Sequence, residues 1–172
     1  MKTCKYIGIS GASRSGKSEL AEQIQAQLES VGKKSLVIGQ DDYCIPKEQL
    51  PRIKDRYDWE QPESIDWDRL HAVIDEAKPK YDVVIIEGIF VLDDQKLLEC
   101  YTTLVELEIS HETYWERRKR ETRWGLEPDW YIQYVWDYYH QRTKVPTRAL
   151  RFSGEEPVEF SSLIARFISE YY

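Results

Sequence analysis

The stretch Gly11-Ala12-Ser13-Arg14-Ser15-Gly16-Lys17-Ser18 decides the fold of this 172-residue chain. It fits the pattern G-x-x-x-x-G-K-[ST], in which glycines let the backbone curl so that successive amides point at a phosphate group. The following helix adds the positive end of its dipole, the lysine reaches the β and γ phosphates, and the hydroxyl after it binds Mg²⁺. The pattern predicts a nucleotide-phosphate site formed by Gly11, Ala12, Ser13, Arg14, Ser15, Gly16, Lys17, Ser18 and Glu19.

Short apolar runs alternate with helical patterns on both sides of this loop, which predicts an α/β fold with a parallel sheet covered by helices. Strands are expected at residues 5–10, 35–39, 82–87, 103–109 and 148–152. Helices are expected at residues 18–30, 66–77, 111–124, 128–142 and 158–171. The polar stretch 46–62 is interpreted as a loop or lid. With no internal repeat and no low-complexity linker, residues 1–172 are expected to form a single domain.

Acidic residues follow two of the predicted strands. Ligands of open parallel sheets bind beyond the carboxyl ends of the strands. Glu87 ends an apolar run and is interpreted as an acid that holds Mg²⁺, directly or through water, together with Ser18. Asp41 follows the second strand and is placed to accept the proton of an attacking hydroxyl or to orient it, and Asp42 is the alternative.

Composition excludes several classes of function. The net charge of -7 and the pI of about 5.1 argue against broad nucleic-acid binding, which needs a basic face. Cys4, Cys44 and Cys100 are widely spaced and suggest neither a disulfide framework nor a metal site. No apolar run approaches the length of about 20 residues that spans a membrane, and no signal sequence is visible, so a cytoplasmic location without membrane partners is expected.

Beyond the phosphate loop, several segments together resemble the uridine kinase and nicotinamide riboside kinase family of P-loop kinases, over nearly the whole chain. Ile-Gly-Ile-Ser-Gly leads into the loop. The more specific segments are Gln40-Asp41-Asp42-Tyr43, Trp59-Glu60-Gln61-Pro62-Glu63-Ser64-Ile65-Asp66 and Ile85-Ile86-Glu87-Gly88. The resemblance implies a P-loop NTPase fold of three layers, in which helices cover both faces of a five-stranded parallel sheet and a helical lid closes over it.

The same resemblance implies a chemistry for this single P-loop kinase domain. The family moves the γ-phosphate of ATP, with Mg²⁺, to the 5′-hydroxyl of a ribonucleoside, and its base maps onto Asp41. An aromatic residue followed by an acid holds the base and the ribose. Ungapped alignment places that pair at Trp59-Glu60, and Tyr57-Asp58 competes two residues earlier. A carboxylate suits ribose because it accepts hydrogen bonds from two neighbouring hydroxyls.

The densest positive cluster, in residues 117–123, would belong to the lid. On a helix Arg117, Arg120 and Arg123 share one side, while Arg118 lies partly apart. Arginines there would offset charge on the transferred phosphoryl group, so Arg120 and Arg123 are predicted to be catalytic together with Lys17 and Asp41. Most aromatic residues of the next helix should pack in the core. Candidates for contact with the base of the substrate are Trp124, Asp129, Trp130 and Tyr131.

The sequence departs from the family in ways that keep the acceptor open. Uridine kinases carry an extra hairpin before the strand that ends at Glu87, and His71 lies in no matching context. Gly125 stands where nicotinamide riboside kinases have an aromatic residue. The alternatives are a P-loop kinase for another metabolite, such as a pantothenate-like alcohol, and a non-catalytic nucleotide-binding regulator. The expected partner is a small-molecule substrate, and the oligomeric state, including a homo-oligomer, is open.

Overall fold

A five-stranded sheet carries the site. The computed structural model describes residues 4–122, 125–142 and 144–155, and beyond them residues 161, 164, 165 and 169. The sheet contains β1 (Lys5–Gly11), β2 (Ser35–Gly39), β5 (Val83–Glu87), β6 (Thr103–Glu108) and β7 (Leu150–Ser153). Their order is β2-β5-β1-β6-β7, and every neighbouring pair is parallel. The predicted five-stranded parallel sheet is confirmed, with β1 in the centre and both acidic strand ends at one edge.

Helices cover both faces of this sheet. One face packs against α1 (Lys17–Ser30), whose Leu20, Ile24 and Leu28 are fully buried against β1, β5 and β6. The other face packs against α2 (Trp67–Ala77) and α3 (Gln95–Cys100), through Leu70, Ile74 and Leu97 among others. A third apolar cluster joins α4 (His111–Arg120) to α5 (Asp129–Arg142). The three-layer arrangement therefore has an additional helical pair beside the carboxyl edge of the sheet.

Three details differ from the sequence-based expectations. The basic helix α4 ends at Arg120 instead of 124, because Glu121 adopts an extended conformation and pairs with Arg14. Helix α3 was not predicted; it is only six residues long and is capped by Asp94, whose side chain accepts a hydrogen bond from Leu97 N at 2.9 Å. The stretch 46–62 contains an antiparallel hairpin of β3 (Arg52–Ile53) and β4 (Arg56–Tyr57).

The predicted last helix, 158–171, lies outside the described residues except for isolated positions, and the single-domain expectation for 1–172 stays a prediction. Across the described ranges, no helix combines the length and the apolar character needed to cross a bilayer.

Candidate active site

The loop between β1 and α1 has the backbone of a phosphate cradle. Gly11 has φ 153°, and a Cβ there would lie 2.5 Å from Ser15 Oγ and 2.6 Å from the Leu107 carbonyl oxygen. Gly16, immediately before α1, has φ 96°, and Arg14 also has positive φ. Glycine fits positions 11 and 16 because it adopts positive φ without a steric cost. Ser15 is fully buried, and its Oγ has no hydrogen-bond partner among the described residues. The loop is thus a narrow turn, and the Ser15 hydroxyl inside it can still donate a hydrogen bond.

Lys17 and Ser18 open α1 at the carboxyl edge of the sheet. Lys17 is 8% exposed, and its Nζ donates to the carbonyl oxygen of Ala12 at 2.9 Å. Ser18 Oγ donates to Glu87 Oε1 at 3.0 Å. The two side chains that the sequence assigned to a metal are therefore in direct contact. Burial raises the pKa of Glu87, while Lys17 and then the Ser18 hydrogen bond oppose that rise.

This donor set fits Mg²⁺. The ion prefers one or two protein oxygens, with phosphates and water completing its shell. Ser18 and Glu87 supply those two oxygens. In the part of the chain that the structure describes, no three His, Cys, Asp or Glu side chains form a denser metal cluster. A shared site of protein and nucleotide oxygens is therefore the arrangement that these residues can provide.

Asp41 and Asp42 lie in a short helical turn after β2, and both are exposed. Their charges add to the rise in the pKa of Glu87, so both lie within electrostatic reach of it. Gly39 keeps this corner open, because a Cβ there would lie 3.3 Å from Glu87 Oε1 and 3.6 Å from Asp42 Oδ2. The structure therefore brings both candidate bases near Glu87, the candidate metal ligand, and both stay candidates.

The two candidate ribose carboxylates have different surroundings. Asp58 is fully buried, and its Oδ1 accepts hydrogen bonds from Tyr131 Oη and Glu60 N, both at 3.1 Å. Its Oδ2 accepts from Gln61 Nε2 at 2.6 Å and Tyr134 Oη at 2.8 Å. With four donors, Asp58 has the full set that an ionised carboxylate accepts. In this conformation it anchors the loop to α5.

Glu60 instead lies beside Arg118 and within electrostatic reach of Asp41. Its Oε1 accepts from Arg118 Nη2 at 2.8 Å. Burial raises the pKa of Glu60, Arg118 opposes the rise, and the negative charge of Asp41 adds to it. Glu60 therefore lies near the candidate base.

The aromatic partners of these acids differ as well. Tyr57 lies under the cations of Arg52 and Lys47, with Arg52 Cζ 4.7 Å and Lys47 Nζ 5.1 Å from the ring centroid. Trp59 is 44% exposed. The exposed indole of Trp59 has free surface against which a flat ring can stack, whereas the Tyr57 ring already contacts two cations.

The predicted lid contacts the phosphate loop through arginines other than the predicted catalytic pair. Arg118 Nη1 donates to Ser13 Oγ at 2.5 Å, and Arg117 Nη1 donates to the carbonyl oxygen of Arg14 at 3.0 Å. Arg120 projects into solvent, with its side chain 78% exposed and paired to Glu116. Arg123 and Trp124 lie outside the described residues. Arg118 therefore contacts the phosphate loop and Arg120 does not, because α4 packs on the loop with the side that carries Arg118.

The other aromatic candidates lie along α5. Tyr131 is buried against Asp58, and Trp130 packs edge-on to it with Lys54 Nζ 3.8 Å from the Trp130 ring centroid. Asp129 is exposed and pairs with Lys119. Tyr131 thus contacts the loop that carries the two candidate ribose carboxylates, and Trp130 contacts the hairpin before it.

Two acids at the site were not selected from the sequence. Glu127 binds Arg118 with both oxygens, Oε2 to Nε at 2.6 Å and Oε1 to Nη2 at 3.0 Å. Glu106, in β6, is 3% exposed and accepts from Tyr139 Oη at 2.5 Å. Burial raises the pKa of Glu106, and its hydrogen bonds and Lys17 oppose the rise. The alternation of side chains along β6 is the sequence signal that identifies Glu106, because Glu106 lies on the same face of the strand as the buried Leu104.

Comparison with known proteins identifies the relatives of this chain. Human nicotinamide riboside kinase 1 is 27% identical over an alignment that covers 81% of this chain and 76% of that protein. The uridine kinase of Mycoplasma genitalium is 31% identical over an alignment that covers 72% of this chain and 66% of that protein. The chain is a relative of the uridine kinases and nicotinamide riboside kinases. The resemblance read from its motifs is therefore confirmed, although no protein-family model matches the chain.

The match to other uridine kinases is partial in length. The uridine kinase of Schizosaccharomyces pombe is 29% identical over an alignment that covers 66% of this chain but 31% of that protein. The chain thus spans about a third of that relative.

Solved structures confirm the P-loop kinase fold. A structure of a possible uridine kinase from Bacillus stearothermophilus superposes with a TM-score of 0.62 at 19% identity, covering 88% of this chain and 90% of that one. A gluconokinase from Sinorhizobium meliloti superposes with a TM-score of 0.60 at 21% identity, covering 100% and 98%. At these identities the likeness shows the fold alone, and the acceptors of the two named proteins differ.

Proposed function

We propose that this chain transfers the γ-phosphate of ATP to a hydroxyl of a small molecule, and that the acceptor is a ribonucleoside phosphorylated at its 5′-hydroxyl. The observation that carries the proposal is the contact between Ser18 and Glu87 beside Lys17, with Asp41 at the neighbouring strand end. A phosphate loop alone serves many nucleotide-binding proteins. An exposed carboxylate beside the metal residues is a feature that transfer to an acceptor requires and a nucleotide sensor does not.

The chain's own residues account for the steps of transfer. Lys17 would leave the Ala12 carbonyl for the β and γ phosphates. A Mg²⁺ held by Ser18 and Glu87 would neutralise charge on the β and γ oxygens. Asp41 would take the proton of the acceptor hydroxyl while the new O–P bond forms and the bond to ADP breaks. Asp42 stays the alternative base.

On the acceptor side, Glu60 is the carboxylate best placed for the ribose hydroxyls. It is held by Arg118 near Asp41, whereas Asp58 already accepts hydrogen bonds from four donors. Trp59, next to Glu60, is the exposed aromatic residue that could cover the base. The nucleoside assignment draws further support from the named relatives, uridine kinase and nicotinamide riboside kinase 1.

A second candidate function is phosphorylation of another polyol or alcohol. It is favoured by the chemistry of Glu60, since a carboxylate accepts hydrogen bonds from any pair of neighbouring hydroxyls. The likeness in fold to a gluconokinase is compatible with that reading.

An acceptor panel tests both candidates. The protein, ATP and Mg²⁺ would be incubated separately with uridine, cytidine, nicotinamide riboside, gluconate and pantothenate, while ADP and phosphorylated product are followed. Product from one nucleoside alone supports the first candidate, and product from gluconate or pantothenate alone supports the second. ATP binding without product from any acceptor would favour the regulator reading.

A further inference from the structure

Arg118 is a heavily paired cation beside the phosphate loop. Its side chain is 11% exposed, and it contacts Glu60, Glu127 and Ser13 at the distances given above. Nε, Nη1 and Nη2 are all engaged, so one guanidinium ties together three separate segments. These are the phosphate loop, the acceptor loop that carries Glu60, and the connection between α4 and α5.

The charges in this cluster do not favour an incoming phosphate. One guanidinium facing two carboxyl groups leaves no net positive charge, whichever proton state Glu60 adopts. Although burial works against the charged guanidinium, Glu60 and then Glu127 raise the pKa of Arg118, so the cation persists inside the cluster. An ATP molecule in the loop would therefore meet a cation that is already neutralised.

The bidentate contact singles out Glu127. A carboxylate that binds Nε and Nη2 together fixes the plane of a guanidinium as well as its position. Glu127 thereby aims Nη1 at Ser13, while Glu60 occupies Nη2 from the acceptor side. The two glutamates have separate tasks on one cation.

We propose that Glu60 and Glu127 form an electrostatic latch on Arg118, in which Glu127 is a positioning residue and Glu60 is the half that an acceptor opens. The inference rests on the proposed function. Without an acceptor, the latch withholds the positive charge of Arg118 from the phosphates. When acceptor hydroxyls bind Glu60, Arg118 stays oriented by Glu127, and the Nη2 hydrogen that Glu60 held becomes available to the transferred phosphoryl group. The latch therefore links the charge at the phosphates to occupancy of the acceptor site.

The latch predicts opposite effects on ATP binding and on turnover. Glu127→Gln removes a negative charge beside the polyphosphate, so MgATP should bind more tightly, by about 10-fold for a partly buried charge at this range. Turnover with a working acceptor should fall by about 10-fold or more, because the guanidinium is no longer held in one plane. A residue that only maintains the fold would not produce tighter binding together with slower turnover.

Calorimetric titration of MgATP without acceptor is the deciding experiment, with Glu116→Gln as the matched control. Glu116 lies on the same lid helix but pairs with the solvent-exposed Arg120, so its loss should leave ATP affinity unchanged. Glu60→Gln removes the other half of the latch and should also tighten MgATP. If circular dichroism shows that Glu127→Gln does not fold, the affinity of Glu60→Gln for MgATP tests the latch in its place.

The outcomes separate the latch from the proposed function. Equal affinities in the unmodified protein, Glu127→Gln and Glu60→Gln would overturn the latch alone. Equal tightening in Glu116→Gln would also overturn it, because the effect would then be one of general charge. Failure of the unmodified protein to bind MgATP would overturn the proposed function and the latch with it.

Discussion

Ser18 Oγ and Glu87 Oε1 lie 3.0 Å apart, although 69 positions separate the two residues in sequence. The parallel pairing of β1 with β5 produces this contact, since it brings the start of α1 beside the last residue of β5. Lys17, at the same helix start, opposes the rise in the pKa of Glu87. The fold thus holds side by side the hydroxyl, the ammonium group and the carboxylate that the proposed phosphoryl transfer uses.

Glu87→Gln should weaken binding of ATP in the presence of Mg²⁺. The amide cannot supply the charged oxygen, and loss of groups that support a bound metal costs about 10- to 100-fold in affinity. Calorimetric titration of ATP at several Mg²⁺ concentrations measures the effect. Glu108→Gln is the control, because Glu108 is an exposed acid at the end of β6 and pairs with Arg151 of β7. Equal losses in both variants would remove Glu87 from the metal site.

Asp41→Asn should abolish transfer while leaving ATP affinity intact. An amide cannot take the proton of the acceptor hydroxyl, and loss of a general base costs about 10²- to 10⁴-fold in rate. Steady-state turnover and ATP titration measure the two quantities separately. Asp42→Asn is the paired variant, because Asp42 lies in the same turn and is equally exposed. If Asp42→Asn loses turnover and Asp41→Asn does not, the base is Asp42.

Asp58→Asn should destabilise the protein as well as alter acceptor binding. The amide nitrogen would face donors that now bind the buried carboxylate, and each hydrogen bond to a charged group contributes about 1.5–3 kcal/mol. Urea unfolding measures the change in the free energy of unfolding. Asp55→Asn, at an exposed position in the hairpin that precedes Asp58, should leave it unchanged. An unaltered stability of Asp58→Asn would contradict the anchoring role of Asp58.

Glu106 should make stability depend on pH. Burial raises its pKa, so the folded protein binds a proton on Glu106 at pH values where the unfolded chain has released it. The contribution of Glu106 to stability is therefore greatest below the unfolded pKa, about 4.5, and declines as pH rises towards the higher folded value.

Glu106→Gln removes that decline, because glutamine does not titrate. Relative to the unmodified protein, the variant should gain stability as pH rises from about 4.5 towards neutrality, with thermal unfolding across that range as the measurement. Glu108→Gln, two residues along the same strand and exposed, is the control. A stability difference that does not change with pH would contradict the assignment to Glu106.

The sheet and the phosphate loop were predictable because local patterns encode them. The apolar run ending at Glu87 is short and consists of β-branched residues, which favours a buried strand, and the glycine and lysine spacing fixes the loop. The carboxyl ends of parallel strands then share one edge, which brings Asp41 towards Glu87 without further information.

The lid was less predictable because its orientation depends on docking. Helical spacing groups Arg117 with Arg120, but it does not tell which side of α4 meets the phosphate loop. Burial of Arg118 depends on Glu60 and Glu127, which come from two other segments. Helix α3 was missed for a different reason, since six residues are too few to show a helical period.

The most direct test of the account follows the γ-phosphate itself. ATP labelled on that phosphate would be incubated with the protein, Mg²⁺ and the nucleoside selected by the acceptor panel, and the product would be analysed by phosphorus NMR. The account predicts one equivalent of ADP for each phosphate found as an ester on the 5′-hydroxyl, and none of this product with Asp41→Asn and Asp42→Asn combined. Label recovered only as inorganic phosphate, in amounts unaffected by any acceptor, would contradict it.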